Sequence, residues 1–139
     1  MSHSHNFIAR DVETGLIMAN RVTVASRRLE RAVGLLGRSH LEVGEALWIT
    51  PCHGVHTWFM RFSIDVIALD ADGVIVDAVS MLKPWRMRLP RPGACSVLEL
   101  PAGTLVTAPV RVGHRIQIEG WNSAFMPARS YGESLNTAR

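Results

Sequence analysis

The sequence predicts a mainly β domain of the α+β class, a small barrel-like sheet with a central hairpin and one or two short helices. Three observations carry this expectation. Short apolar runs with period-two alternation recur along the chain, turn residues separate them, and only the segment after Ser26 spaces its apolar residues at three and four. At 139 residues, 47% hydrophobic and 19% charged, the chain has the size of one domain around one core. Its composition is neither disordered, collagenous nor coiled-coil.

The elements follow in order. Met1 to Asn6 is polar, and Asn122 to Arg139 mixes small and polar residues with few large apolar ones. Residues 7–121 are therefore expected to fold as a single β-rich domain between flexible tails at 1–6 and 122–139. Gly15 to Ala25, with Val22 and Val24 alternating, predicts a strand. Ser26 is a good N-cap, Leu29, Ala32, Val33 and Leu36 share a helical face, and Gly37 can close it. A helix over Ser26 to Leu36 is expected to cover an open edge or end of the sheet, with Arg27, Arg28, Glu30 and Arg31 facing solvent. Ala46 to Thr50 reads as a brief strand. Ile64 to Leu69 and Val74 to Val79 form a hairpin through Asp70-Ala-Asp-Gly73, where Gly73 supplies the positive φ. Strands are further expected at Ser96 to Leu100 and Arg115 to Glu119, with a helical turn within Pro101 to Thr107.

Charge and motifs exclude several classes. Fifteen Lys plus Arg against twelve Asp plus Glu leave only +3, and no zinc-finger, helix-turn-helix or RNP pattern is present, so nucleic acid is not an expected partner. Ala46 to Met60, the longest uncharged apolar stretch, is interrupted by Thr50, Pro51, His53 and His56 and is too short to span a bilayer. The first six residues carry neither a basic flank nor an apolar core, so cytoplasmic residence is expected, with Cys52 and Cys95 as free thiols.

Chemistry concentrates in two segments. Pro51 to Asp65 holds a thiol, two imidazoles, a guanidinium and a carboxylate within fifteen residues. Cys52, His53 and His56 suit zinc, but a fourth ligand is missing, so neither a metal nor a cofactor is expected. Cys52 and His56 also make a nucleophile–base pair that Asp65 or Glu99 could orient, against the plainer reading of Cys52 as a small buried apolar residue. Lys83 to Arg91 places four cations in nine residues beside Trp85, an exposed loop in which Arg86 and Arg88 suit phosphate or carboxylate. The plainer reading is a soluble loop with Trp85 closing the barrel end. In Val97-Leu-Glu-Leu100, alternation sets Val97 and Glu99 on one face and Leu98 and Leu100 on the other. An inward Glu99 needs a cation, and Arg61 or Arg86 is the expected one. Asp65 is expected either as an exposed strand-end charge or as a partner for Arg61, Arg86 or an imidazole.

Gly34-Leu-Leu-Gly-Arg38, Pro51-Cys52, His56-Thr57, Met60-Arg61, Ile64-Asp65-Val66, Asp72-Gly73, Pro84-Trp85-Arg86 and Val97-Leu-Glu-Leu-Pro-Ala-Gly103 occur in this order. The series resembles the bacterial and archaeal domain-of-unknown-function family numbered one hundred and ninety-two, over about Leu16 to Ile118. The resemblance implies a compact, mainly β domain with short helices and no established reaction. Ser63 stands where such proteins commonly have Pro, and Gly113-His114 where Gly-Asp is usual.

The residues support three function classes. A domain that binds a small polar or anionic molecule or a protein partner ranks first, with His56, Thr57, Arg61, Asp65, Trp85, Arg86 and Glu99 as ligand-binding candidates. A Cys52 and His56 enzyme ranks second, and an accessory subunit of an assembly third.

Overall fold

The computed structural model describes residues 6–26, 35–89 and 91–120. The expected Ser26 to Leu36 helix falls almost wholly outside the described residues, as do the tails apart from Asn6.

Among the described residues the strands are β1 (Phe7–Asp11), β2 (Ile17–Ala25), β3 (Glu45–Ile49), β4 (Val55–His56), β5 (Ile64–Leu69), β6 (Ile75–Leu82), β7 (Met87–Arg88), β8 (Ser96–Pro101) and β9 (Ile116–Glu119), with one short helix, α1 (Thr104–Thr107). Seven strands form one sheet in the order β6-β5-β8-β3-β2-β1-β9, and β4 pairs with β7 in a separate ribbon. All neighbours are antiparallel except β2 and β3. The fold is the expected mainly β one, a curled half-barrel.

The curl brings the two edge strands into contact at one end. Val74 bridges Arg115, the Ile75 amide donates to the His114 carbonyl at 2.8 Å, and the Ile116 amide donates to the Gly73 carbonyl at 2.9 Å. Edge backbone that would otherwise face solvent is thereby paired, which removes a template for unwanted strand addition.

The β5–β6 hairpin appears where the sequence places it. The Asp70 carboxylate accepts from the Asp72 and Val74 amides, both at 2.9 Å, and Gly73 sits at φ 82°. Strands β1, β4 and β7 were not foreseen. The first is a short Phe-Ile-Ala-Arg-Asp segment next to polar residues, and the other two have only two residues each, too few for any periodicity.

Apolar side chains fill both faces of the sheet's centre. Inside the curl, Phe7, Val22, Ile67, Ile75, Leu98 and Ile116 belong to one cluster. On the outer face Leu47, Met60, Ile64, Val66 and Val97 form a second, with Leu36, Phe62 and Leu82 packed against it. Strand β5 is consequently buried along its whole length, as are the first five residues of β8, and β8 divides as alternation requires, Leu98 and Leu100 inward and Val97 outward.

A Cβ on Gly73 would lie 2.7 Å from the Ile116 carbonyl oxygen, a backbone atom within the closure of the barrel. Gly73→Ala is therefore expected to lose about 1 to 3 kcal/mol of stability from the strained φ and the clash together. Urea unfolding checks it, and an unchanged midpoint would contradict this account of the closure.

Candidate functional site

Thr57 assembles the loops that carry most of the predicted site. It follows β4, whose His56 pairs with Met87 of β7 and whose Val55 pairs with Arg88. The buried Thr57 hydroxyl donates to the Lys83 carbonyl at 2.6 Å and accepts from the Arg86 amide at 2.9 Å. Its backbone amide donates to the Arg86 carbonyl at 2.8 Å, and its carbonyl accepts from the Trp85 amide at 3.0 Å and the Met60 amide at 3.2 Å. Two segments almost thirty residues apart are thus held together by one threonine, and His56, Thr57, Trp85 and Arg86 come into one neighbourhood.

The outer surface of this ribbon is aromatic. The His56 ring lies 5.0 Å from that of Trp58, and the Phe59 and Trp85 rings lie 4.7 Å apart at 59°. Both geometries fall in the range where rings attract beyond simple burial. Phe59 and Trp85 are nevertheless 69% and 57% exposed. Their backbones are left-handed, at φ 65° and 62°, and Met81 at 58° is the one other non-glycine residue with positive φ among the described residues. Large side chains seldom adopt this conformation, at a cost of about 1 to 3 kcal/mol each. The hydrogen bonds of Thr57 hold Trp85 there. Neither Trp58 nor Phe59 was singled out from the sequence, although the run Trp58-Phe59-Met60 beside two histidines was a usable signal.

Asp65 departs from both expectations for it. It is fully buried, and its partners are three backbone amides, Met81 at 2.8 Å and Gly103 at 3.2 Å on Oδ1 and Leu105 at 2.7 Å on Oδ2. Three charge-assisted bonds satisfy the carboxylate without a guanidinium or imidazole. The interaction could not be read locally because the donors lie sixteen to forty residues away.

Glu99 is buried on the same face of β8 as Val97, under the outer cluster, but the expected cation is not beside it. It faces Leu47 of β3 and Val66 of β5, is 3% exposed, and its Oε2 has no hydrogen-bond partner. Arg61 and Arg86 are on exposed loops rather than beside it. Burial alone pushes the Glu99 carboxyl up to about 7, since a neutral acid avoids the cost of an unpaired buried charge. The seven ligand-binding candidates therefore divide. His56, Trp85 and Arg86 present themselves at the ribbon with Thr57 beneath them, Arg61 is exposed just after Met60, and Asp65 and Glu99 are buried in the sheet.

Cys52 and His56, the nucleophile–base candidates, each have contacts of their own. The Cys52 thiol donates to the Gly54 carbonyl at 3.0 Å, the Cys52 amide donates to the Cys95 carbonyl at 2.8 Å, and neither cysteine is in a disulfide. The His53 Nδ1 is 2.8 Å from the Ala94 carbonyl, while the His56 ring lies against Trp58. Part of the charge on the cationic loop is matched by an acid. Arg88 makes a two-pronged contact with Asp77 at 2.7 and 2.9 Å, and Arg91 approaches the same carboxylate at 3.7 Å. The Arg88 hydrogen bond holds Asp77 below the usual carboxylate range despite burial. Arg88 is thus occupied, and Lys83, Arg86 and Arg61 remain exposed.

A further cluster escaped the sequence because one member, His114, lies about a hundred residues from the other two. Ligand atoms of Asp11, Glu13 and His114 lie within 4.8 Å of one another. His114 Nδ1 is 2.9 Å from Asp11 Oδ2, which also accepts from the Thr14 hydroxyl at 2.9 Å, and the Arg115 amide donates to Glu13 at 2.8 Å. Burial would raise the Asp11 carboxyl, but the bonds from His114, Thr14 and the Glu13 amide outweigh it and hold it below its ordinary value. A cation bound by these three residues would have to displace bonds already made.

Residues 10–118 match the DUF192 family, described as an uncharacterized ACR. The chain belongs to this family. It is 36% identical over 103 residues to a UPF0127 protein of Pyrococcus abyssi, covering 70% of this chain and 85% of that one. A UPF0127 protein of Pyrococcus furiosus is 32% identical over 117 residues, covering 81% and 96%. Solved structures share the DUF192 chain's fold. A protein of Sinorhizobium meliloti 1021, described as a candidate transcription regulator, superposes with a TM-score of 0.73 at 20% identity over 83% of this chain and 95% of its own. A protein of unknown function from Novosphingobium aromaticivorans DSM 12444 gives 0.71 at 17% identity over 80% and 83%.

Two outcomes follow from this geometry. Thr57→Val removes a buried hydroxyl and leaves the Lys83 carbonyl and Arg86 amide without their partner, so a loss of about 1 to 3 kcal/mol is expected in urea unfolding. An unchanged stability would remove Thr57 from its role as organiser. Glu99 binds a proton in the folded chain at pH values where it has lost it in the unfolded one. Stability should therefore fall as pH rises from about 4.5 to about 7, by about 3 kcal/mol at most, and then level off. Glu99→Gln should abolish this contribution, seen as the difference between the two proteins' unfolding free energies across that range.

Proposed function

We propose that residues 7–121 form a single binding domain whose ligand is an anion with an attached flat or apolar portion, held at the β4–β7 ribbon. The observation that supports it most is the joint placement, through Thr57, of His56, Trp85 and Arg86. Trp85 offers an exposed face for the apolar portion, and Arg86 offers a planar set of donors that suits phosphate or carboxylate. Arg61 adds a second guanidinium. Asp65 and Glu99 support the site from within the sheet, the first by holding Met81 and the second as a neutral acid, rather than by contact with the anion.

A Cys52 and His56 enzyme is less well supported, because the thiol hydrogen is directed to Gly54. The accessory-subunit reading draws on the same exposed ribbon.

Titration calorimetry with inorganic phosphate and phenyl phosphate tests the reading. Phenyl phosphate should bind more tightly than phosphate, Arg86→Ala should weaken it by about 1.5 to 3 kcal/mol, and Cys52→Ala should leave it unchanged. Equal affinity of the Arg86→Ala protein for phenyl phosphate would overturn the site.

A further inference from the structure

Six of the twelve large exposed apolar side chains among the described residues lie on two short segments that Thr57 binds together. They are Trp58 and Phe59 on the first and Met81, Trp85, Met87 and Leu89 on the second. All the exposed large aromatic side chains in that group of twelve are here, which makes this a patch rather than the scattered apolar residues of an ordinary surface. The three left-handed non-glycine residues, Phe59, Met81 and Trp85, are in the patch, so the backbone is strained at the positions where apolar side chains are displayed. Burying these side chains would be favourable, so their exposure on strained backbone marks a surface suited to a partner.

The charge on the two segments has one sign. From Cys52 to Phe62 and from Ala78 to Arg91 there is no acidic residue. Arg61, Lys83 and Arg86 are exposed, while Arg88 and Arg91 are directed to Asp77. A complementary surface must therefore be apolar at its centre and anionic around it. Exposed Trp and Phe flanked by Arg and Lys match the boundary between headgroups and acyl chains of an anionic bilayer, where aromatic rings sit at headgroup depth and cations meet the lipid phosphates. An acidic peptide fits less well. β4 and β7 have two residues each, so the ribbon edge offers a strand-adding peptide a very short ladder.

We infer that the β4–β7 ribbon, with Phe59 and Trp85 at its apolar centre and Arg61, Lys83 and Arg86 around it, is a docking surface for an anionic lipid bilayer. This rests on the binding reading above and names the anion as a lipid phosphate presented at a membrane surface. The chain would lie on the bilayer. No helix among the described residues is long and apolar enough to cross a membrane.

Co-sedimentation of the full chain with vesicles tests it, using phosphatidylcholine alone and an equal mixture of phosphatidylcholine and phosphatidylglycerol. The chain should sediment with the mixed vesicles, and partitioning should fall as salt is raised. The double variant Phe59→Asn/Trp85→Asn should reduce partitioning by about tenfold or more, because two large apolar groups are lost from the buried face. Asparagine tolerates the left-handed backbone, so this variant should keep its fold, which circular dichroism verifies. The pair Lys83→Ala/Arg86→Ala should weaken partitioning and flatten its salt dependence. Failure to sediment with mixed vesicles while phenyl phosphate still binds would overturn the bilayer and leave the binding reading standing. Loss of phenyl phosphate binding as well would overturn both. Partitioning that survives Phe59→Asn/Trp85→Asn undiminished, or a soluble short-chain phosphatidylglycerol that binds as tightly as the vesicles, would also overturn the inference. Capture of an acidic peptide in preference to vesicles would replace it with a protein partner.

Discussion

Three stretches of chain meet on the Asp65 carboxylate, a fully buried charge whose partners are all backbone amides. Taking a carboxylate out of water is costly, and several donors must converge on it before the fold can tolerate it. That requirement fixes where β6 ends, because the Met81 amide must reach Oδ1. It also fixes the turn after β8, because the Gly103 and Leu105 amides must reach the same group. The left-handed Met81 is one consequence. The chain leaves β6 in a direction that brings residues 83–88 across to β4, and the candidate site begins there.

Thr57 takes over at that point. Its hydroxyl and backbone together satisfy polar groups of Lys83, Trp85 and Arg86, a buried network in which each donor has an acceptor. A two-stranded ribbon with two residues per strand has little stability alone. The threonine supplies what the ladder lacks, and the ribbon can then display aromatic side chains from strained backbone. Stability generated in the sheet is in this way expended at the surface, a division common at binding sites.

Glu99 and Asp77 show how the same side-chain chemistry diverges with surroundings. Asp77 meets Arg88 at the sheet edge and stays ionised. Glu99, between Leu47 and Val66 and lacking a partner for Oε2, is driven toward the neutral acid. Neither Arg61 nor Arg86 pairs with Glu99, and the buried acid that does meet a guanidinium is Asp77, through Arg88.

Local pattern determined the elements whose information is local. The Ile64 to Leu69 strand, the Asp70 to Gly73 turn and the alternation in β8 depend on neighbours within a few residues, through apolar periodicity, one Asx-type turn and one glycine. The concentration of chemistry in residues 51–65 and 83–91 was also legible, since residue type alone reveals it. Partner choice was not. Asp65 with amides up to forty residues away, Thr57 with a loop almost thirty residues on, and His114 with Asp11 about a hundred residues earlier are decided by which strands become neighbours. A charged side chain carries no record of its partner, because Coulomb attraction and hydrogen bonding specify the kind of group required and only the tertiary fold decides which such group lies within three ångströms.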